Sequence, residues 1–226
     1  MIEMALDKNT SEITGLLFSG GLDSAVLLAQ LLEQGQRVQP FYVRTGCRWE
    51  DAERKAIEHF MDALNLQAVE PVVELEVPIA DLYGLHWSVT GVSVPDENTL
   101  DEAVSLWGRN PLLLIKPALW CQQHGIEQLA MATLASNPFA DTTPEFFLGF
   151  EQMLEAATTK RLKILRPFAG LSKQEVLAKG SHLPLELTFS CLAPIREEHC
   201  GHCNKCAERG RVLSTLSKGK KHPCFA

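Results

Sequence analysis

The stretch Ile13-Thr14-Gly15-Leu16-Leu17-Phe18-Ser19-Gly20-Gly21-Leu22-Asp23-Ser24 runs from a short apolar segment through two adjacent glycines into Ala25–Leu32, where apolar residues are dense enough for the buried face of a helix. It reads as strand, turn, helix. Two residues without a Cβ let the turn curl closely round an anion, and the N–H groups and dipole of the helix start favour phosphate there. The turn lacks the lysine of a Walker A loop and the spacing of a dinucleotide-binding G-x-G-x-x-G. A Gly-Gly turn between strand and helix is, by itself, also common as plain structure.

Further along, Val38–Val43 and Val69–Val77 read as strands, the second interrupted at Pro71, and Glu50–Leu64 places Ala52, Ala56, Ile57, Phe60 and Leu64 at helical spacing. From Pro78 to Asn110 periodicity fades while Gly, Pro, Ser and Asp accumulate. This predicts a long irregular excursion with one short turn of helix, and loops of that length inside a compact domain are usually functional or mobile. Pro111–Gln123 and Pro144–Ala157 read as helices, and Gln128–Thr133 and Leu162–Leu165 as strands. Ser172–Lys179 reads as a helix that Ser172 can cap and Gly180 can stop. The alternation predicts an α/β, Rossmann-like parallel sheet with helices on both faces and ligands bound beyond the carboxyl ends of the strands, which puts Ser19–Ser24 at the site.

The chain of 226 residues, 46% hydrophobic and 22% charged, has the composition of a compact soluble protein. At this size folding hides roughly 70% of the unfolded surface, so a core forms without disulfide staples. The 7 cysteines therefore need another explanation. Cys47, Cys121 and Cys224 are scattered and read as packing residues, whereas Cys191-x8-Cys200-x2-Cys203-x2-Cys206 brings four thiolates within reach of one ion. A closed four-sulfur shell leaves no open position for substrate, so Zn2+ here is structural and anchors the C-terminal segment; an iron–sulfur cluster or a redox pair is the competing reading. His199 and His202 lie inside the cluster but are surplus to a tetrahedral shell. The organisation is an α/β domain over 1–186, carrying the phosphate-favouring turn, followed by a zinc-binding segment over 187–226.

The formal net charge of −7 argues against broad nucleic-acid coating. Lys218, Lys220, Lys221 and His222, and the turn Lys160, Arg161, Lys163 and Arg166, are locally basic and read as solvated faces. No run approaches the roughly 18 apolar residues of a membrane span, and Met1 to Ser11 holds polar and acidic residues where a secretory signal needs a basic then apolar pattern. A cytoplasmic protein without membrane contact is expected.

The whole string Ser19-Gly20-Gly21-Leu22-Asp23-Ser24 resembles the pyrophosphate-binding loop of the ATP pyrophosphatase (PP-loop) superfamily, whose members activate carbonyl or carboxyl groups by adenylation. The resemblance implies ATP binding by Phe18, Ser19, Gly20, Gly21, Leu22, Asp23 and Ser24, with Asp23 helping to place Mg2+-bound phosphates. Leu171-Ser172-Lys173-Gln174-Glu175-Val176 resembles a second piece of the superfamily, in which a lysine reaches the phosphates; Lys173 joins Asp23 as a catalytic candidate. Read without the family, S-x-x-E is only a capping box. With Gly108-Arg109-Asn110 and Thr188-Phe189-Ser190-Cys191 added to the cysteine motif, nearly the whole chain is similar to the 7-cyano-7-deazaguanine synthase family of queuosine biosynthesis.

That resemblance implies an ATP-dependent ligase, usually a homodimer, acting on 7-carboxy-7-deazaguanine and ammonia. The carboxylate is adenylated, ammonia gives the amide, and a second ATP dehydrates the amide to the nitrile. Adenylation supplies a leaving group to an otherwise unreactive anion. It also implies substrate binding by Arg48, Arg109, Asn110 and Asp141. Two departures bear on the substrate pocket. Where the family has Tyr-Gly-Gln-Arg-His, Val43 to Trp49 keeps Gly46 and Arg48 but ends in Trp49; where it has Asp-x-Ser-Gly-Tyr-Pro-Asp-Cys-Arg, Ser136 to Thr143 keeps Asp141 and replaces the arginine by Thr143. A guanidinium fork suits a carboxylate, so Arg109, Arg48 or Lys116 must take over that contact, while Trp49 or Phe139 can stack on a deazapurine. The same adenylation could also join a deazaguanine acid to an amine on protein or nucleic acid, or the fold could bind nucleotide without catalysis.

Overall fold

The computed structural model describes residues 13–64 and 68–217. The N-terminal stretch to Ser11, the basic residues from Lys218 to His222 and Cys224 lie outside the described residues. Strands β1 (Ile13–Leu17), β2 (Arg37–Arg44), β3 (Val73–Glu76), β4 (Gln128–Ala130) and β5 (Lys163–Leu165) form one 5-stranded sheet in the order β3-β2-β1-β4-β5. Every pairing is parallel, with Leu16 opposite Pro40 on one side and Ala130 on the other. The chain steps outward from β1 through β2 to β3, then crosses back to β4 on β1's other flank. This reversal opens a crevice at the carboxyl ends of β1 and β4, where open α/β sheets take ligands.

Helices α1 (Leu22–Glu33), α2 (Glu50–Leu64), α5 (Arg109–Gln123), α6 (Pro144–Thr158) and α7 (Lys173–Lys179) follow the expected pattern. Alternation along the strands sends Leu16 to a core with Leu27, Leu28, Phe60, Val176 and Leu177, and Phe41 to an opposite core with Leu114, Cys121, Phe147 and Phe150. Both faces of the sheet are thus covered. Among the described residues no helix is long and apolar enough to cross a membrane.

β3 is shorter than the predicted Val69–Val77, for a reason visible in two prolines. Val38 still exchanges backbone hydrogen bonds with Ala68 and Glu70. Pro40 has no N–H to donate toward Pro71, and the Gln39 amide donates instead to the Pro71 carbonyl at 2.9 Å. The ladder resumes only at Phe41 opposite Val73.

The excursion from Pro78 to Asn110 holds more structure than one turn of helix. It contains α3 (Ala80–Tyr83), α4 (Trp87–Thr90) and a 3-10 turn at Asp101–Val104. It is strapped to the cysteine loop: Asp96 bridges Cys203, Glu97 N donates to His202 O, and Asn204 N donates to Pro95 O. A last helix, α8 (Asn204–Ser217), was not predicted from the sequence. Its polar first turn hides the signal; Val212 joins the main core and the buried Arg209 guanidinium donates to Thr188 Oγ1 and the Leu185 carbonyl at 2.8 and 2.7 Å.

Gly180 ends α7 where that helix crosses α1, and a Cβ there would lie 2.3 Å from Val26 Cγ2. Gly180→Ala is expected to destabilise the protein by about 1–3 kcal/mol through overpacking. Equilibrium denaturation should show a lower midpoint with an unchanged slope; an unchanged midpoint would mean that α1 and α7 separate freely.

Candidate active site

A cavity of about 400 Å³ opens at the carboxyl ends of β1, β2 and β4. Its floor is the turn after β1. Ser24 Oγ donates to Gly21 O at 3.1 Å, and Ser19 Oγ lies 3.4 Å from Ser24 Oγ. Gly21 is the N-cap of α1 without any side-chain cap, so the first-turn N–H groups stay available to a ligand. Phe18, Ser19, Gly21, Leu22, Asp23 and Ser24 line the cavity. Gly20 does not: its φ is +70°, and a Cβ there would meet Ile57 at 2.8 Å and the Glu53 carbonyl at 3.2 Å. Its contribution is a left-handed bend pressed against α2.

Asp23 and Lys173 converge from α1 and α7 at 2.6 Å. Lys173 also lies 3.7 Å from Glu208, which pairs with Lys205 at 2.7 Å. Desolvation drives the Asp23 carboxyl above its ordinary range although Lys173 pulls it down. For Glu208 desolvation pushes the same way, but Lys173 and Lys205 outweigh it and the net shift is downward. Asp23 Oδ1 is buried without a hydrogen-bond partner among the described residues. An orphaned carboxylate oxygen beside an uncapped helix N-terminus fits a hard cation such as magnesium.

Arg109 and Asn110 enter the cavity from the start of α5. Asn110 is clamped by Asp141: its N–H donates to Asp141 Oδ2 at 3.0 Å and its amide to Asp141 O and Oδ1 at 2.9 and 3.2 Å. Asp141 stands behind the cavity wall and steadies the segment that presents Arg109. Among the described residues the Arg109 guanidinium has no hydrogen bond or ion pair. Arg48 is exposed, its side chain lying against Gly91, and Lys116 donates to the Glu76 carbonyl; neither reaches the cavity. Thr143 caps α6 by accepting from Phe146 N at 3.2 Å. Trp49 and Phe139 both line the cavity, Trp49 buried beside Trp87 and Phe139 half-buried.

Among the lining residues that the sequence does not single out, three carry charge that bears on the chemistry. Lys205 and Glu208 come from the unanticipated α8. Glu53 sits one turn before Ala56 and Ile57 and two before Phe60, on the apolar stripe of α2. An acidic residue on a buried stripe is the signal that marks it. Cys47 also lines the cavity; burial pushes its thiol up, so it stays protonated.

The sulfurs of Cys191, Cys200, Cys203 and Cys206 all lie within 4.8 Å of one another. The separations Cys200–Cys206 and Cys191–Cys203 are 3.9 Å each. A tetrahedron with zinc–sulfur bonds of about 2.3 Å has edges of about 3.8 Å. Leu192 N and Cys200 N donate to Cys203 and Cys191 sulfurs at 3.4 and 3.3 Å, an arrangement that stabilises thiolates. The four cysteines can therefore hold a metal ion. His199 accepts from Ser190 N and packs on Phe189, kept neutral by burial and by Arg209, which hold it down to about 4. His202 is exposed and faces Cys200 O. The metal-capable segment and the cavity share a wall: Cys191, Lys205, Glu208 and Arg209 all line it.

The family model described as queuosine biosynthesis protein QueC matches residues 14–217. The chain is 30% identical over 202 residues to 7-cyano-7-deazaguanine synthase 1 of Desulfitobacterium hafniense, covering 88% of this chain and 90% of that one. It is 30% identical over 210 residues to the 7-cyano-7-deazaguanine synthase of Methanothrix thermoacetophila, covering 86% and 91%. The protein of the same name from Leptospira interrogans is 27% identical over 221 residues, covering 91% and 88%. With a match spanning its sheet, its glycine turn and its cysteine tetrad, the chain belongs to the QueC family of queuosine biosynthesis proteins.

Proposed function

We propose that the chain is an ATP-dependent ligase that converts 7-carboxy-7-deazaguanine and ammonia to 7-cyano-7-deazaguanine through an adenylated carboxylate and an amide. The observation that carries this reading is the combination within one cavity of an uncapped helix N-terminus, the Asp23–Lys173 pair and the unpaired Arg109 guanidinium.

Ser19, Gly21 and Ser24 hold the pyrophosphate end of ATP through hydroxyls and first-turn N–H groups. Lys173 leaves Asp23 to meet phosphate, with Glu208 keeping it within reach. Asp23 would hold magnesium through its unpartnered carboxylate oxygen, and the ion would supply charge to offset that of the phosphates. Arg109, oriented by the Asn110–Asp141 clamp, takes the substrate carboxylate in place of the arginine absent at Thr143. Trp49 and Phe139 supply faces for the deazapurine ring. The four cysteines hold zinc as a closed structural site.

A second reading keeps the adenylation and changes the acceptor to an amine on protein or nucleic acid. It is favoured by Thr143, which stands where the family has an arginine and whose hydroxyl is taken up in capping α6. The product decides between them. With ammonia, magnesium and ATP the metal-loaded protein should turn the free acid into the free nitrile.

A further inference from the structure

Glu53 has no part in the roles assigned above, yet it lines the same cavity as the glycine turn and Arg109. One of its carboxylate oxygens, Oε2, accepts from the Tyr42 hydroxyl at 2.8 Å. The same hydroxyl reaches the Glu50 carbonyl at 3.4 Å, which fixes it at the end of β2. The other oxygen, Oε1, has no hydrogen bond or ion pair among the described residues. The Glu53 carbonyl is packed against Gly20, so the side chain starts from a point tied to the pyrophosphate-binding turn. A carboxylate aimed by one oxygen and unpartnered at the other, beside the place where an acyl adenylate would form, is arranged to exchange a proton with a ligand.

Amide formation from an acyl adenylate requires such a group. The ammonia nitrogen attacks the carbonyl carbon, a C–N bond forms, the C–O bond to AMP breaks, and the nitrogen must lose one proton to become a neutral amide. On the ligase reading above, we propose that Glu53, aimed by Tyr42, is the base that takes this proton.

The electrostatic surroundings suit the task. Desolvation pushes the Glu53 carboxyl up to about 7, against the pull of Arg109 and the Tyr42 hydrogen bond, with Glu50 adding to the rise. Burial and the Glu53 charge push the Tyr42 phenol well above its ordinary range, so it stays a donor. Cys47, the remaining titratable neighbour on the β2–α2 connection, stays a neutral thiol because burial pushes it up. A base poised near neutrality is effective in the range where the protein works.

The test compares two nucleophiles. Both nucleophiles must shed a proton, but ammonia depends on a positioned base. Hydroxylamine is unprotonated at neutral pH and more nucleophilic, and its more acidic adduct gives its proton to water, so it traps acyl adenylates as hydroxamates without a base from the protein. With Glu53→Gln, which keeps an acceptor for Tyr42, amide formation from ammonia is expected to fall roughly 100-fold or more while acid-dependent hydroxamate formation stays within a few-fold of the parent protein. Tyr42→Phe should keep both reactions but move the acidic limb of the ammonia reaction to higher pH, because the lost hydrogen bond had favoured the ionised carboxylate. Equal loss of hydroxamate and amide in Glu53→Gln would overturn the proposal and make the residue structural, and so would undiminished amide formation. Failure of the unmodified protein to make any acid-dependent hydroxamate would instead sink the ligase reading, which keeps the two claims separable.

Discussion

Cys203→Ser is expected to abolish metal binding and to lower stability by about 4 kcal/mol or more, the scale of losing a structural metal. Cys203 is 2% exposed and lies at the junction of everything the tetrad holds. It bridges Asp96 of the excursion, accepts from Leu192 N, and precedes the first turn of α8. A serine hydroxyl is a poor substitute for thiolate toward zinc, and it leaves three sulfurs crowded without a shared ion. The loss should spread to the nucleotide. Lys205, Glu208 and Arg209 reach the cavity from the helix that Cys206 ties to the tetrad at its start, so ATP affinity should fall together with the metal content. Metal analysis and denaturation of the same sample check both parts. A full metal complement in the variant would contradict the assignment of the tetrad, and a metal-free variant that binds ATP normally would contradict the shared wall.

Asp23→Asn is expected to separate activity from stability in the opposite sense. Turnover should fall by roughly 100-fold to 1,000-fold, the scale seen when one preorganised group facing a developing charge is removed. Stability at neutral pH should hold or rise. The folded-state pKa of Asp23 is raised by desolvation, so ionising it in the folded protein costs free energy. That cost is absent below the ordinary carboxylate pKa and grows as pH climbs toward the folded value. A neutral amide escapes it, and Lys173 retains Glu208 at 3.7 Å. The sign is checked by denaturation of both proteins at several pH values: the advantage of the asparagine variant should shrink on acidification. A variant less stable than the parent at neutral pH would show that the Lys173 pair outweighs desolvation. Strain of this kind at a functional group is a common trade of stability for activity.

Much of this architecture is legible in the residues. The apolar run, Gly20-Gly21 and the dense helix that follows place β1, the turn and α1 to within a few residues, because each depends on local chemistry. The capping box is equally local: Ser172 Oγ accepts from Glu175 N, and Glu175 Oε2 accepts from Ser172 N. The cysteine spacing also carries its meaning unaided, since ligands so close in sequence can hardly avoid one another in space. What escaped the sequence depends on long-range packing. β3 is cut short because Pro40 on the neighbouring strand and Pro71 interrupt the ladder between Val38–Val69 and Phe41–Val73. α8 is a helix because Cys206 and Arg209 are held from outside it, whereas its own apolar residues are few. Glu53 is a cavity residue because Tyr42, Arg109 and the turn meet around it, although its place on the apolar stripe of α2 was visible. Arg48 and Arg109 looked interchangeable as arginines near glycines, and only the fold puts Arg109 inside and Arg48 outside.

The claim that one cavity activates a deazaguanine acid for attack by ammonia is tested most directly by mass spectrometry of a single reaction. The metal-loaded protein is incubated with magnesium, ATP, 7-carboxy-7-deazaguanine and nitrogen-15 ammonia. The account predicts that the free acid disappears, AMP and pyrophosphate accumulate, and the free nitrile appears with the heavy nitrogen in it. Recovery of the acid unchanged from a folded, metal-replete sample, or its appearance attached to protein or RNA instead of as the free nitrile, would contradict it.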